Sequence, residues 1–285
     1  MYQLPFAQPY PAVPDGGYWD KVTSTIDWCE ENYVVTPYIA EAMNTLSNSV
    51  FIILAGYAMY SAFKNHLEVR FILISFGFAL VGVGSWLFHM TLKYEFQLLD
   101  ELPMIYATCI PMWSVFSEGV TTKKSITIGT SVLFGANLLT AVYLYFKDPT
   151  IHQVAYALLN VFIVGRSHYL TLKFVKDPVD RAKLFRTMIR GVVTFLTGYA
   201  LWNMDVHFCN SWIKLRRNIG MPYGFFFELH SWWHVLTGTG VYFYVVYLEY
   251  LRVLLLKQED HYVLVEHLGF LPEVQRLEKP ISKKQ

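Results

Sequence analysis

A serine, an aspartate and three histidines in this sequence have the types and spacing for hydrolysis at a metal. His230 and His234 stand four residues apart in ELHSWWHVLTGTG, so on a helix both imidazoles leave one face. HxxxH offers two nitrogens to zinc; the glutamate of a metalloprotease HExxH is missing, because residues 231–233 are Ser-Trp-Trp. His89 would complete a three-histidine set with a fourth position open to water, the pattern of a catalytic zinc. Ser85 precedes His89 by one helical turn in GSWLFHM and could donate to a developing oxyanion. Asp100 could take a proton from a metal-activated water and return it to a leaving amine. Each also has a plainer reading: interfacial imidazoles bonded among aromatics, a serine back-bonded to its helix, an aspartate capping a helix.

Asp205 is a candidate partner for a metal histidine's other N–H, or half of an interhelical hydrogen bond. His152, His168 and His207 lack a comparable pattern and read as structural or interfacial. Asp27, Glu30, Asn32 and Glu41, with the Trp28 carbonyl, gather hard oxygens that suit calcium in flexible coordination. The spacing is not that of an EF-hand, and an acidic helix start is the alternative. Cys29 and Cys209 fall on one side of the predicted topology, where a disulfide between them could form, and Cys109 lies inside a span.

The elements that must position these groups are membrane helices. The 285 residues are 54% hydrophobic and 17% aromatic, with a mean hydropathy of +0.31, and the apolar residues come in blocks near the ~20 needed to cross a bilayer. Net charge is +1, so no basic stripe points to nucleic acid, and no segment marks an obligate protein partner. The Pro-containing N-terminus lacks the basic region and apolar core of a cleaved signal peptide.

Seven spans are predicted: 39–63, 71–92, 99–116, 125–146, 151–174, 189–208 and 227–256. The expected fold class is an all-α integral membrane protein, a seven-helix bundle with an intramembrane metal site. Its parts are an N-terminal segment 1–38, a catalytic helical domain 39–256 and a charged tail 257–285. Lys173 to Arg190 form the most basic connection, which places the C-terminus in the cytosol and the N-terminus in a lumen. Lys214, Arg216 and Arg217 go against that rule. The metal and calcium candidates all fall on the lumenal side.

The stretches DWCEENYVVTPYIAEAMNTLSNS, VGVGSWLFHMTLKYEFQLLDELPMIY, ALWNMDVHFC and ELHSWWHVLTGTG resemble the alkaline ceramidase family, most closely its fungal phytoceramidase branch. The resemblance implies a seven-helix intramembrane amidase of the superfamily that includes the adiponectin receptors. It assigns His89, His230 and His234 to zinc, Ser85 and Asp100 to the active site, and Asp27, Trp28, Glu30, Asn32 and Glu41 to calcium. Cys29 and Cys209 match a disulfide pair.

The implied activity is hydrolysis of ceramide or phytoceramide to a sphingoid base and a fatty acid in the endoplasmic reticulum or Golgi, with reverse ceramide synthesis also open. A ceramide-responsive receptor with structural zinc is the alternative. A transporter ranks lower, because the polar residues gather at one end. Lys283-Lys284-Gln285 loosely matches a dilysine retrieval signal, against which stands a solvated charged tail.

Overall fold

A computed structural model describes residues 4–279 and is mostly helical; Lys283-Lys284-Gln285 lie outside the described residues. The helices are α1 (Ala42–Ser47), α2 (Ser49–Lys64), α3 (Val69–Thr91), α4 (Tyr94–Phe116), α5 (Thr122–Phe146), α6 (Pro149–Phe174), α7 (Pro178–His207), α8 (Cys209–Ile219) and α9 (Leu229–Leu255). They are followed by strands β1 (Tyr262–His267) and β2 (Leu271–Arg276). Three stretches are long and apolar enough to cross a membrane, namely α1 with α2, α3, and α5, so this is a multi-pass membrane protein. On α5, Leu133, Phe134 and Leu138 are exposed, a surface that lipid covers at no cost.

Several boundaries differ from the sequence reading, each for a local reason. The expected turn at Tyr94 to Gln97 is already helix; the chain reverses at Leu92, which has a positive φ of 50°. Asp100 is therefore inside α4 and does not cap it. Helix α7 begins eleven residues before the expected Ile189, because Asp177 accepts from the backbone N–H groups of Val179 and Asp180 at 2.8 and 2.9 Å and Pro178 takes a first-turn position. The expected loop from Cys209 to Phe226 holds α8, which Gly220 ends with a φ of +80°, and a 3-10 turn at Tyr223–Phe227.

The described chain groups into two compact units: Met1–Ile52 with Leu80–Glu101 and Thr194–Thr239, and Ile53–Ala79 with Leu102–Val193 and Gly240–Gln285. The first contains every candidate site residue. In it the N-terminal segment packs Tyr33 and Ala40 against Phe88 and Leu92, with Trp19, Ile26, Trp28 and Phe96 around them.

In the second unit Arg252 of α9 pairs with Glu68 at 2.8 Å and Glu118 at 2.7 Å, while Arg70 stacks on Trp113. These charges are partnered inside the protein. The tail expected to be merely charged carries the antiparallel hairpin β1–β2. Its Glu273 is buried and accepts from Ser61 at 2.7 Å, and Tyr242 of α9 donates to the Pro272 carbonyl at 2.6 Å.

Candidate metal centre and active site

Helices α3 and α9 bring His89, His230 and His234 together, each less than 5% exposed. One ligand atom from each lies within 4.8 Å of the others. Among the described residues this is the group of three His, Cys, Asp or Glu side chains so spaced. The hydrogen bonds engage the Nδ1 atoms of two of the rings. His89 Nδ1 donates to Glu41 Oε2, which leaves its Nε2 lone pair open, and His234 Nδ1 is paired with the Ser47 hydroxyl at 2.8 Å, a bond that either group can donate. His230 Nδ1 is buried without a hydrogen-bond partner, and its ring stacks on Trp28 with centroids 4.1 Å apart. Three buried imidazoles with a ligand atom of each close together, and a carboxylate behind one of them, form a donor set that fits zinc.

Ser85, one turn before His89 on α3, and Asp100 on α4 face one another. Their closeness follows from a near contact between α3 and α4. Pro103 has no N–H, so the Leu99 carbonyl lacks its intrahelical donor. Gly84 stands against that carbonyl, where a Cβ would overlap it. A glycine and a proline thus bring together the residues that follow Gly84 and Leu99.

Among the expected calcium residues, Asn32 donates to Asp27 at 3.3 Å, and the Asn32 Oδ1 is buried without a partner. Glu30 accepts from the backbone N–H groups of Met43 and Asn44 at 2.7 and 2.8 Å, at the start of α1. Glu41 accepts from the Trp28 N–H at 3.2 Å and the Asn44 amide at 3.1 Å. Burial, and then the nearby Glu41 charge, push the Glu30 carboxyl up to about 8. The cluster is rich in oxygen and short of positive charge. The buried Asp205 carboxylate makes no side-chain bond to a histidine; it faces Arg216 and the backbone N–H groups of His230, Cys29 and Leu229. His152 lies between the rings of Tyr143 and Tyr156, and His168 packs on Phe185.

A disulfide joins Cys29 to Cys209 at the start of α8, and Cys109 is free and buried. Beneath it lies a group that the sequence reading missed. Arg216 is fully buried, pairs with Glu228 at 2.9 Å, and donates to the Cys29 carbonyl at 2.6 Å and to the Phe227 carbonyl at 3.3 Å. Tyr10 donates to the same Glu228 at 3.0 Å. Arg217 pairs with Glu31 at 2.6 Å. Two cations that opposed the positive-inside rule are therefore spent on ion pairs. The signal was their fixed spacing from Cys209 on an amphipathic α8, which a loop assignment hid.

The family model described as Ceramidase matches residues 20–275 of this chain. The chain belongs to the ceramidase family. It is 48% identical over 278 residues to alkaline ceramidase YPC1 of Saccharomyces cerevisiae, covering 93% of this chain and 88% of that one. It is 42% identical over 250 residues to alkaline ceramidase 3 of Mus musculus, covering 87% and 91%. The alkaline ceramidase of Arabidopsis thaliana is 29% identical over 265 residues, 92% of this chain and 96% of that one. The ceramidase match takes in the N-terminal oxygen cluster, the histidine group and most of the C-terminal hairpin.

Proposed function

We propose that this ceramidase-family chain is a zinc-dependent intramembrane amidase that cleaves ceramide or phytoceramide to a sphingoid base and a free fatty acid. The observation that carries the reading is the buried His89–His230–His234 group, with Ser85 facing Asp100, in a chain of this family. Zinc held by the three histidines supplies a Lewis acid and lowers the pKa of a water toward ~7.

The chain's own residues do the rest. Asp100 takes the proton of the attacking water as a C–O bond forms at the amide carbon. Once protonated, Asp100 no longer needs the Ser85 hydroxyl, which is free to donate to the carbonyl oxygen as it gains negative charge. Collapse breaks the C–N bond, and Asp100 passes its proton to the departing amine. The atoms balance as amide plus water to carboxylic acid plus amine, and the same steps reversed give ceramide synthesis. Glu41 holds His89 in one tautomer, and Asp205 orients the start of α9 through its backbone.

All seven long helical stretches cross the membrane in this reading, with the N-terminus lumenal and the C-terminus cytosolic. Partnering of Arg216 and Arg217 supports that orientation. Residence in the endoplasmic reticulum or Golgi suits a disulfide and a lipid substrate. Asp27, the Trp28 carbonyl, Glu30, Asn32 and Glu41 would bind calcium, supplying the charge that their cluster lacks and stiffening the segment that packs on α3. Labelled ceramides, dihydroceramides and phytoceramides given to purified protein in detergent test the reading. Release of sphingoid base by the parent and none by His234→Ala supports it; no release from any of them, with zinc bound, sinks it.

A further inference from the structure

The turn of the C-terminal hairpin breaks two local rules at once. His267 pairs with Leu271, and inside this three-residue connection the Phe270 N–H donates to the His267 carbonyl at 3.1 Å, closing a β-turn with Leu268 and Gly269 at φ values of 52° and 75°. Such a turn favours Asn or Gly at its first central position, because in the left-handed region a Cβ crowds the following carbonyl oxygen. Here that position holds leucine. Leu268 is also 88% exposed and Phe270 57% exposed, so the least suitable backbone position carries one of the most open apolar side chains. A local violation of this kind points to a functional site.

The rest of the hairpin faces the protein. Glu273 and Val274 are buried, and the hairpin is held by Ser61 and by Tyr242. Glu266, the residue before the turn's first, pairs with Arg190 of α7 at 2.7 Å. That pair sets the level of the turn along α7. From Arg190 to the end of α7 at His207 there is no other Lys or Arg, a stretch of ~26 Å at the helical rise, close to the ~30 Å of a hydrocarbon core. Arg190 therefore marks one boundary of the bilayer. Ile189 and Val193, on either side of it, are 54% and 55% exposed and belong to the lipid-facing surface of α7. Leu268 and Phe270 follow Glu266 by two and four residues, so the apolar tip lies close to that boundary.

We propose that Leu268 and Phe270 form an interfacial anchor that enters the bilayer leaflet on the side of the C-terminus, beside Arg190 of α7. The partner is the acyl boundary of the membrane itself, which removes the cost of exposing both side chains to water. An anchored tip, rigidly joined to the buried Glu273, ties the hairpin to the membrane as well as to α2 and α9. The inference rests on α7 crossing the bilayer and is independent of the reaction.

The test uses full-length protein with Cys109→Ala, an intact Cys29–Cys209 disulfide, and a single environment-sensitive fluorophore on Leu268→Cys or, separately, Phe270→Cys. Val193→Cys reports the α7 face. The proteins are placed in phosphatidylcholine vesicles with 5-doxyl phosphatidylcholine or with aqueous iodide. The expected result is quenching of labels at 268, 270 and 193 by the doxyl lipid, at least threefold stronger than by iodide. Iodide quenching at 268 and 270 with lipid quenching at 193 overturns the anchor and leaves the α7 span standing. Iodide quenching at all three positions overturns both. Protection of 268 and 270 from both quenchers means that protein covers the tip, and also overturns the proposal.

Discussion

Glu41 and His89 are joined twice. The Glu41 backbone N–H donates to the His89 carbonyl at 3.0 Å, and the Glu41 carboxylate accepts from His89 Nδ1. The same carboxylate accepts from the Trp28 N–H, so one side chain connects the oxygen cluster of the N-terminal segment to a histidine of the metal group. Glu41→Gln, which keeps the shape and removes the charge, is expected to weaken zinc binding about 10–100-fold and to blunt any response of activity to calcium. A chelator titration of zinc content checks it; unchanged affinity would show that the His89 contact is incidental.

Asp100→Asn keeps a polar group facing Ser85 and removes the proton acceptor. The expected outcome is a fall in kcat of about 10²–10⁴, with zinc content equal to the parent. Loss of zinc in this variant would instead make Asp100 part of the metal's surroundings.

Gly84→Ala forces a Cβ against the Leu99 carbonyl and should cost about 1–3 kcal/mol by overpacking, with activity falling as Ser85 and Asp100 separate. Gly56 has open space around it, so Gly56→Ala in α2 should be neutral or stabilising. Thermal unfolding of both variants in one detergent gives the comparison, and equal midpoints would rule out a tight α3–α4 approach.

Arg216→Met leaves Glu228 buried without its partner and should destabilise the protein by about 3–5 kcal/mol. Arg216→Met with Glu228→Gln should recover part of that loss, since no unpaired charge is then left and Tyr10 keeps an acceptor. A double-mutant cycle on unfolding midpoints measures the coupling; strict additivity would argue against the ion pair.

Burial pushes the Glu273 carboxyl up, but donors from Ser61, Gln275 and His267 outweigh it and hold its pKa below the usual 4.5. Asn65 and Glu249 also face it. Because the folded value is the lower one, its contribution to stability is full above 4.5 and is lost as pH falls through the folded value. Hairpin docking followed by protease protection should weaken in that window for the parent, while Glu273→Gln should show no such slope there.

The histidine group was legible because His230 and His234 share a helix face by spacing alone, and because helix counting brought His89 to the same end. Ser85 beside Asp100 was legible in kind, though the near contact that Gly84 and Pro103 permit was not. Sequence patterns do not show where a carbonyl has lost its donor. Arg216 was read as a topological exception, and Glu228 fell at the start of the predicted span 227–256. A buried ion pair between residues twelve apart leaves no periodic trace, and α8 is too polar to be found by apolar blocks. The hairpin was hidden for a similar reason: Tyr262 to His267 alternate only weakly, and the charges around them read as solvated tail.

The Cys29–Cys209 disulfide spans 180 residues, which gives the protein a built-in delay during its synthesis. The cysteine that fixes the N-terminal segment over the histidines has no partner until most of the chain has been made. At ~5–20 residues per second this is an interval of roughly ten to forty seconds. His230 and His234 emerge later still. The nascent polypeptide therefore passes through the membrane of its birth as a ligand-poor, unlocked chain. The histidine group is complete only with the last helix, after the cross-link has become possible.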